Sequence, residues 1–476
     1  MSGDPGPAVT DDGPERPLVV VGIGADGWDG LGGAARRALA DCEVMLGSAR
    51  QLALIPDSES AAQRVPWPSP LVPALPGLLE RYAGRRLTVL ASGDPMFFGI
   101  GATLAKMVGP QRLRVLPQPS SASLACARLG WALQDTPVVS AVARPVETVL
   151  AELSDGRRLL VLSSDEHTPA RVAELLAANG FGASTLTVLE QLGGPGERVF
   201  GATAAHWPHP PGDALNLVAI GAVADPTAPR LTRIPGLPDA VYGGDGQLTK
   251  AEVRALTLSA LAPAPGELLW DVGGGSGTIA IEWCRTHPAC RAVTFERSDS
   301  RRKQIAENAA ALGVPGVRVL GAAPEAFAAA DEADPGRGSP APDEAGSARA
   351  TRLPDEAGSA RATRLPDGDS SARGSQVPGE AGSARETRGP DAIFLGGGLT
   401  QDGMVDACWQ RLRPGGRLVA AAVTAESEAL LVRLAGEHGG VLRRFQVYRA
   451  EPLGGFTAWR PQLPVTHWAV VKPGRG

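Results

Sequence analysis

Residues 268–277 constrain the fold of this chain more than any other segment. A short apolar run ends in Asp271 and passes directly into a turn with three alternating glycines. The next residues, 278–283, have the composition of the first turns of a helix. Strand, glycine turn and helix in this order predict a βα unit whose backbone amides face a nucleotide-like ligand. Glycine suits such a turn because a side chain would keep the ligand away from the backbone.

A second acid refines this prediction. The next apolar run ends in Glu296, 25 residues after Asp271. An acid at the tip of the second strand can accept hydrogen bonds from a ribose diol. The dinucleotide fingerprint is G-x-G-x-x-G, whereas this chain has D-x-G-x-G-x-G, which resembles the S-adenosylmethionine (SAM) loop of class I methyltransferases. A glycine turn without a ligand and an NAD-type site are the alternatives.

Composition excludes several other classes of protein. The 476 residues predict two to four domains. A net charge of −5 and the absence of a basic stripe give no reason to expect nucleic acid as a partner. The five cysteines include no C-x-x-C pair, so we expect no metal site, and Cys284 and Cys290 read as packing residues. With no apolar signal region and no membrane-spanning run, we expect a cytoplasmic protein without membrane contact.

The first part of the chain alternates apolar runs with helical patterns. After a predicted disordered tail, residues 1–16, this alternation predicts an α/β domain over residues 17–224. Helices are expected at 31–40 and 170–180. Strands are expected at 18–24, 87–91, 113–116, 158–162, 186–190 and 215–220.

A second domain is predicted over residues 249–476. Residues 225–248 read as a linker that is stiffened by prolines and loosened by glycines at its end. The domain is expected to begin with a helix over 249–262, for which Thr249 is a plausible N-cap. An insertion at 331–389 contains four copies of a 12-residue repeat. Its sparse apolar residues cannot offset the entropy of ordering, which predicts a disordered loop.

The N-terminal part contains three further motifs that follow predicted strands. Two are glycine turns, at residues 20–24 and 91–99, and the second includes an acid and a proline that favour a rigid turn. The third is a serine pair before a helix, which fits ordinary N-capping equally well. The candidate cofactor contacts in these motifs are Gly22, Gly24, Gly93, Asp94, Pro95, Ser120 and Ser121.

These motifs resemble those of the tetrapyrrole (class III) methyltransferases of the cobalamin pathway. Together with residues 189–198, they are most similar to the precorrin C5-methylase subfamily. In the second domain, residues 245–254, 271–277, 391–398 and 412–419 resemble the precorrin C15-methylase/decarboxylase. The resemblance implies an α/β fold with a two-lobed tetrapyrrole methylase domain followed by a doubly wound, Rossmann-like class I SAM methyltransferase domain.

The resemblance also implies a reaction. Two SAM molecules would methylate precorrin-6Y at C5 and C15, and CO2 would be lost from the ring C acetate to give precorrin-8X. The implied partners are a precorrin-type tetrapyrrole and further copies of the chain in a homo-oligomer. The SAM contacts implied in the second domain are Thr249, Asp271, Gly273, Gly275, Gly277, Glu296, Ala322 and Ala323. Because the substrate carries many carboxylates, the basic residues Lys250, Arg254 and Arg144 are candidates for the catalytic site. Asp165 is a further candidate, because it follows a predicted strand near the expected cleft.

Three departures from the family pattern leave alternatives open. Residues 140–144 read Ser-Ala-Val-Ala-Arg, where the C5-methylases usually have Ser-Leu-His-Gly-Arg. Ala421 replaces a usual asparagine, and no acid stands at position 322. One alternative is therefore that only the C-terminal domain is active and the N-terminal domain binds tetrapyrrole. Two further alternatives do not depend on these departures. The substrate could be a cobalt-bearing precorrin. The class I fold also hosts nucleic-acid methyltransferases, although the acidic charge disfavours that reading.

Overall fold

The computed structural model describes residues 16–246, 248–332 and 389–474. Apart from their outermost residues, the predicted tail at 1–16 and the predicted insertion at 331–389 lie outside the described residues. The described chain forms three large sheets with helices between and around them. This arrangement confirms the predicted α/β fold class. No helix in the described ranges has both the length and the apolar composition that crossing a membrane requires.

The first sheet is fully parallel, with the order β3-β2-β4-β1-β5. The inner strand β1 carries Val20 and Val21, which are completely buried, as expected for a strand covered on both faces. The strands are β1 (Leu18–Ile23), β2 (Val44–Gly47), β3 (Gln63–Pro66), β4 (Leu87–Ser92) and β5 (Leu113–Leu116). The helices are α1 (Gly27–Gly30), α2 (Gly33–Asp41), α3 (Ala49–Ala53), α4 (Leu71–Arg81) and α5 (Ile100–Val108).

The second sheet is mixed, with the order β6-β7-β10-β8-β9, and only β6 and β7 pair in parallel. Its strands are β6 (Val138–Ser140), β7 (Arg158–Leu162), β8 (Thr185–Glu190), β9 (Arg198–Thr203) and β10 (Asn216–Gly221). Its helices are α6 (Ser121–Leu129) and α7 (Thr168–Ala178). Short 3-10 helices occur at Pro110–Arg112, Leu133–Asp135, Val146–Glu152, Ala204–His206 and Asp239–Val241. The six strands predicted for this half are confirmed, and the two predicted helices are displaced by one or two residues.

The third sheet has seven strands in the order β13-β12-β11-β14-β15-β19-β16, and β19 runs antiparallel to both neighbours. Its strands are β11 (Leu268–Val272), β12 (Arg291–Phe295), β13 (Arg318–Leu320), β14 (Ala392–Leu395), β15 (Arg417–Ala422), β16 (Val441–Phe445) and β19 (Val465–Val471). A hairpin of β17 (Tyr448–Leu453) and β18 (Phe456–Pro461) stands apart from it. The helices are α8 (Ala251–Leu261), α9 (Thr278–Thr286), α10 (Asp299–Ala311), α11 (Phe327–Glu332), α12 (Met404–Arg411) and α13 (Ala425–His438).

Helices cover both faces of the third sheet, which explains why its inner strand β11 begins as an apolar run. Trp270 points into the core on one face, while its neighbour Leu269 points into the core on the other. Both residues are almost completely buried. Cys284 and Cys290 belong to the second of these cores, as predicted.

The predicted linker is corrected by its packing. Leu237 and Tyr242 are buried in the core of the C-terminal domain, so the second half of the segment belongs to that domain. The helix that follows begins at Ala251 with Lys250 as its N-cap, and Lys250 makes no side-chain capping bond. Thr249 is therefore not the N-cap. Its carbonyl instead accepts a hydrogen bond from the guanidinium of Arg254, which holds it outside the helix.

Candidate active sites

The glycine loop of the C-terminal domain joins β11 to α9. Gly273, Gly275 and Gly277 have φ values of +80°, +57° and +77°, which glycine adopts without strain. A Cβ on Gly273 would lie 2.6 Å from the amide nitrogen of Gly397, and one on Gly277 would lie 2.7 Å from Ile305. A Cβ on Gly275 would meet no atom within 4 Å. Packing therefore accounts for the outer two glycines, whereas Gly275 faces space that a ligand can occupy.

Two acids stand beside this loop in different environments. Asp271 is 1% exposed and accepts a hydrogen bond from the amide of Ala280 over 3.2 Å. Burial raises the pKa of Asp271 to about 7. Glu296 follows β12 and accepts hydrogen bonds from the amides of Gly275 and Ser298, over 2.9 and 3.0 Å. Asp271 thus stabilises the first turn of α9 by accepting a backbone hydrogen bond, while two backbone amides hold Glu296 at the edge of the loop.

The end of the third strand lies next to Glu296. The amide of Glu296 donates to the carbonyl of Leu320 over 3.1 Å. Ala322 and Ala323 follow Leu320 and are half-buried. The carboxyl ends of three neighbouring parallel strands thus bring Gly275, Glu296 and Ala322 to one edge of the sheet, where doubly wound proteins bind their ligands.

A cavity of about 360 Å³ adjoins the glycine loop. Gly396 lines it, and the next residue, Gly397, is the one that packs against Gly273. Its walls come from the start of α8, the ends of β14 and β15, and the region of β16 and β19. The lining residues are Leu248, Thr249, Lys250, Val253, Phe394, Gly396, Ala421, Val423, Phe445, Val447, Gln462, Leu463 and Val465. Nine of these thirteen are apolar, and Lys250 is the ionisable one among them.

In the N-terminal half, three strand ends meet in a junction that excludes side chains. A Cβ on Gly22 would lie 1.9 Å from the carbonyl oxygen of Gly93 and 2.8 Å from the amide of Gln118. The amide of Gly93 donates to Ile23 over 3.0 Å, and the amide of Gln118 donates to Gly93 over 3.1 Å. The loops after β1, β4 and β5 are therefore locked together through their backbones.

The loop between β4 and α5 is organised by its acid and its proline. The side chain of Asp94 accepts a hydrogen bond from the amide of Met96 over 2.9 Å. Pro95 is buried, and its carbonyl accepts from the amide of Gly101 over 2.9 Å. The carboxylate and the proline thus hold the turn, as the sequence predicted.

A loop from the second sheet reaches this junction. A Cβ on Gly194 would lie 2.8 Å from the carbonyl oxygen of Ala25, which places the loop after β8 against the loop after β1. Phe98, Ala143 and Gln191 have φ values of +51°, +51° and +49°. Each of these three belongs to a different motif loop. Left-handed conformations of residues other than glycine are concentrated at functional sites, which marks these three loops as a candidate site.

Comparison with known proteins shows which family each half of the chain matches. Residues 17–207 match the tetrapyrrole (corrin/porphyrin) methylases, and residues 240–336 and 358–472 match the precorrin methyltransferase domain. Over 458 residues, 96% of this chain and 100% of the relative, the chain is 44% identical to the precorrin-6Y C(5,15)-methyltransferase [decarboxylating] of Mycobacterium tuberculosis. The chain belongs to the precorrin-6Y C5,15-methyltransferase (decarboxylating) family. It is therefore an enzyme, a methyltransferase with SAM as its methyl donor.

Two other relatives show how the family divides. The Sinorhizobium precorrin-6Y C(5,15)-methyltransferase [decarboxylating] is 43% identical over 96% of this chain and 96% of its own. The cobalt-precorrin-7 C(5)-methyltransferase of Salmonella typhimurium is 30% identical over 40% of this chain and 89% of its own length. The second relative thus corresponds to less than half of this family member.

Among the predicted site residues, the two basic residues of α8 are separated by the structure. Lys250 lines the cavity, with its Nζ 3.7 Å from a carboxylate oxygen of Asp239. Arg254 is completely buried, and its Nε donates to Glu282 over 2.7 Å. The guanidinium also donates to the carbonyl of Leu237. The prediction that Arg254 binds substrate is therefore wrong, because all of its donors are directed into the protein.

In the N-terminal half, Asp165 and Ser120 serve local structure. Asp165 pairs with Arg171 over 2.7 Å and accepts a hydrogen bond from the hydroxyl of Thr168 over 3.0 Å. Although burial opposes it, these hydrogen bonds hold the pKa of Asp165 below its usual range. Ser120 accepts from the amide of Ser123 as the N-cap of α6, and Ser121 is the exposed first residue of that helix. The capping interpretation of Ser120 is confirmed.

Arg144 lies at the end of the altered 140–144 segment. It is half-buried, and burial lowers the pKa of its guanidinium. Its amide donates to the carbonyl of Ala141 over 3.3 Å, which closes a turn at Ala143. The turn thus places a partly desolvated guanidinium shortly after β6 of the second sheet.

Sequence reasoning missed His467. This residue pairs in register with Ala421, which lines the cavity, and its Nε2 lies 3.1 Å from the hydroxyl of Thr257. Its ring centroid is 5.4 Å from that of Phe445, another lining residue. Burial lowers the pKa of His467 to about 4, so the ring is neutral near pH 7. No local pattern predicts this position, because it depends on the register of an antiparallel strand far along the chain.

Proposed function

We propose that this enzyme methylates precorrin-6Y at C5 and C15 and removes CO2 from the ring C acetate, giving precorrin-8X. The carrying observation is Gly275, at which a Cβ would meet no atom within 4 Å and whose amide donates a hydrogen bond to Glu296. The 44% identity to a decarboxylating C5,15-methyltransferase along the whole chain supports the same substrate. SAM would bind at two sites, one in each domain.

The two domains divide the reaction. Residues 17–224, with the cleft between the first two sheets, would methylate C5. The domain after the linker would methylate C15 and decarboxylate, and the packing of Leu237 and Tyr242 supports a start before residue 249. The 30% identity of a C5-methyltransferase to less than half of this chain supports the assignment of C5 to one domain.

The proposed contacts follow the strand ends. In the C-terminal domain, SAM would lie against Gly275, with Glu296 on its ribose and the backbone near Ala322 and Ala323 on its adenine. Thr249 is at the border of the cavity and would contact the cofactor from the other side. In the N-terminal domain, SAM would lie along the junction of the three loops that contain Gly24, Asp94 and Ser120.

The methyl transfers require alignment of the substrate with SAM and do not need a nucleophile from the protein. The meso carbons of a reduced tetrapyrrole are enamine carbons and attack a sulfonium methyl group when carbon, methyl and sulfur are in line. The pair of electrons released with CO2 can enter the conjugated imine system of the ring. Lys250 is the cation that lines the cavity and would hold a carboxylate of the substrate by a charge-assisted hydrogen bond. Arg144 would do the same in the N-terminal cleft.

The mass of the product formed from precorrin-6Y and SAM by the purified enzyme tests this proposal. Two added methyl groups with one CO2 lost are expected. One added methyl with CO2 lost would support the second candidate, in which the N-terminal domain only binds tetrapyrrole; the altered residues Val142 and Ala143 favour that candidate. An unchanged substrate mass together with turnover of the cobalt-bearing precorrin would assign the cobalt substrate instead.

A further inference from the structure

The two halves of the chain are joined by a much shorter free segment than the sequence suggests. At the N-terminal side, the amide of Asp225 donates to the carbonyl of Gly180 over 2.7 Å, and the amide of Ala228 donates to Asp225 over 2.9 Å. At the C-terminal side, Leu231 already packs against the core beside α9. Only residues 229 and 230 lie between these anchors. Each residue spans at most about 3.6 Å, so the joint allows little separation of the halves and leaves mainly rotation about a short hinge.

A half-buried carboxylate bridges this joint. Glu152, in the 3-10 helix Val146–Glu152 of the N-terminal half, has a side chain that is 14% exposed. One of its oxygens accepts from Arg157 of the same half over 3.2 Å, and the other accepts from Arg233 beyond the joint. Glu152 is thus shared between one arginine from each side.

The same contact reaches the helix that follows the cofactor loop. Nη1 of Arg233 donates to the carbonyl of Arg285 over 3.0 Å, in the last turn of α9. Carbonyls in a last helical turn lack partners within the helix and are stabilised by a cation. The end of α10 lies at this interface too, since a Cβ on Gly313 would lie 2.3 Å from the amide of Ala151.

We infer that the two methyltransferase halves form one docked unit, locked by Glu152 and Arg233, and that this lock supports the cofactor helix α9. The surface on the N-terminal half is the 3-10 helix Val146–Glu152, and its partner is the end of α9 and α10 in the same chain. The inference concerns the docking of the halves and holds whichever tetrapyrrole the enzyme methylates. Its failure is thus distinguishable from failure of the proposed function.

Arg233→Met in the full-length protein tests the lock, with Arg157→Met as the matched control. Both variants remove an arginine from the carboxylate of Glu152. The pair of Arg157 with Glu152 lies within the N-terminal half, whereas the pair of Arg233 with Glu152 crosses the joint. We expect Arg233→Met to increase the maximum dimension in small-angle X-ray scattering and to expose residues 225–236 to proteolysis. We expect Arg157→Met to change neither.

Titration with S-adenosylhomocysteine adds a second readout. Losing a cation from the last turn of α9 should weaken binding to the C-terminal site by about two- to fivefold in Arg233→Met, by the size of helix-terminus effects. Glu152→Gln should open the halves in the same way while leaving this affinity closer to that of the wild type, because Arg233 keeps its bond to α9. Unchanged scattering and unchanged proteolysis in Arg233→Met would overturn the inference, provided that circular dichroism shows a folded protein.

Discussion

The carboxylate of Glu296 accepts a hydrogen bond from the amide of Gly275 over 2.9 Å. This bond connects the end of β12 to Gly275, the one glycine of the loop at which a Cβ would meet no atom within 4 Å. It fixes the two features that a SAM site requires, a bare backbone and an acid, at one point of the sheet edge.

We expect Gly275→Ala to lose ligand binding and Gly273→Ala to lose stability. At Gly275, the new methyl group enters the ligand space, and a φ of +57° costs about 1 kcal/mol for alanine. We expect a folded protein whose C-terminal site no longer binds S-adenosylhomocysteine in calorimetry. At Gly273, the new Cβ meets the backbone of Gly397 at 2.6 Å, so thermal unfolding should show a much larger loss of stability.

Gly316→Ala is the control for this pair, since a Cβ there meets nothing within 4 Å. It should leave both binding and stability nearly unchanged. Equal stability losses at Gly273 and Gly275, or full binding by Gly275→Ala, would contradict the assignment of the open side to the ligand.

The raised pKa of Asp271 predicts that the stability of the protein depends on pH. Burial raises its pKa from 3.8 to about 7, so the folded chain holds this proton more tightly than the unfolded chain. Its contribution to stability is therefore complete below the unfolded pKa and is lost as the pH rises through about 7. Asp271→Asn removes this titration. We expect the Tm of Asp271→Asn, relative to wild type, to rise with pH between about 4 and 7 in thermal unfolding.

Gln410→Ala, at an exposed position of α12, provides the comparison for this experiment. Because neither side chain titrates, its Tm difference from wild type should stay flat across the same pH range. A flat difference for Asp271→Asn as well would mean that Asp271 ionises normally in the folded protein.

Tyr242 tests whether the segment before α8 is part of the C-terminal domain. Its hydroxyl donates to the buried carboxylate of Glu282 over 2.9 Å, beside the amide of Leu237 at 3.1 Å. Tyr242→Phe removes one donor from a buried charge, which should lower the free energy of unfolding by about 1.5–3 kcal/mol. Chemical denaturation measures this change. Tyr82→Phe, at an equally buried ring that follows α4, should cost clearly less, because the described residues provide no hydrogen bond to its hydroxyl.

Ala143 predicts a stabilising substitution. Its φ of +51° is unfavourable for alanine but ordinary for glycine. After the entropy that glycine adds to the unfolded chain, Ala143→Gly should still raise the free energy of unfolding by about 0.5–1 kcal/mol. Ala177→Gly, in the exposed part of α7, should instead lower it by about 1 kcal/mol. A loss of stability in Ala143→Gly would show that the turn is held open by contacts of the methyl group.

Local sequence could predict much of the N-terminal fold and the glycine loop. Most residues of the six predicted strands are apolar, and the closely spaced glycines after Asp271 indicate a tight turn. Arg254 shows the limit of this reasoning, because a basic residue on a helix reads as exposed until its partners are known. Glu282 lies 28 residues away in sequence and reaches Arg254 only through the packing of α8 on α9.

The sequence by itself determined the α/β fold class and predicted the glycine loop with its acids, because each depends on residues that are close in the chain. It could not determine the cavity beside Lys250, the buried His467 or the bridge between Glu152 and Arg233. These depend on strand order, on the register of β19 and on the docking of one half against the other. Only the tertiary structure brings such distant residues within contact distance, and burial then decides whether a charged group binds a ligand or supports the fold.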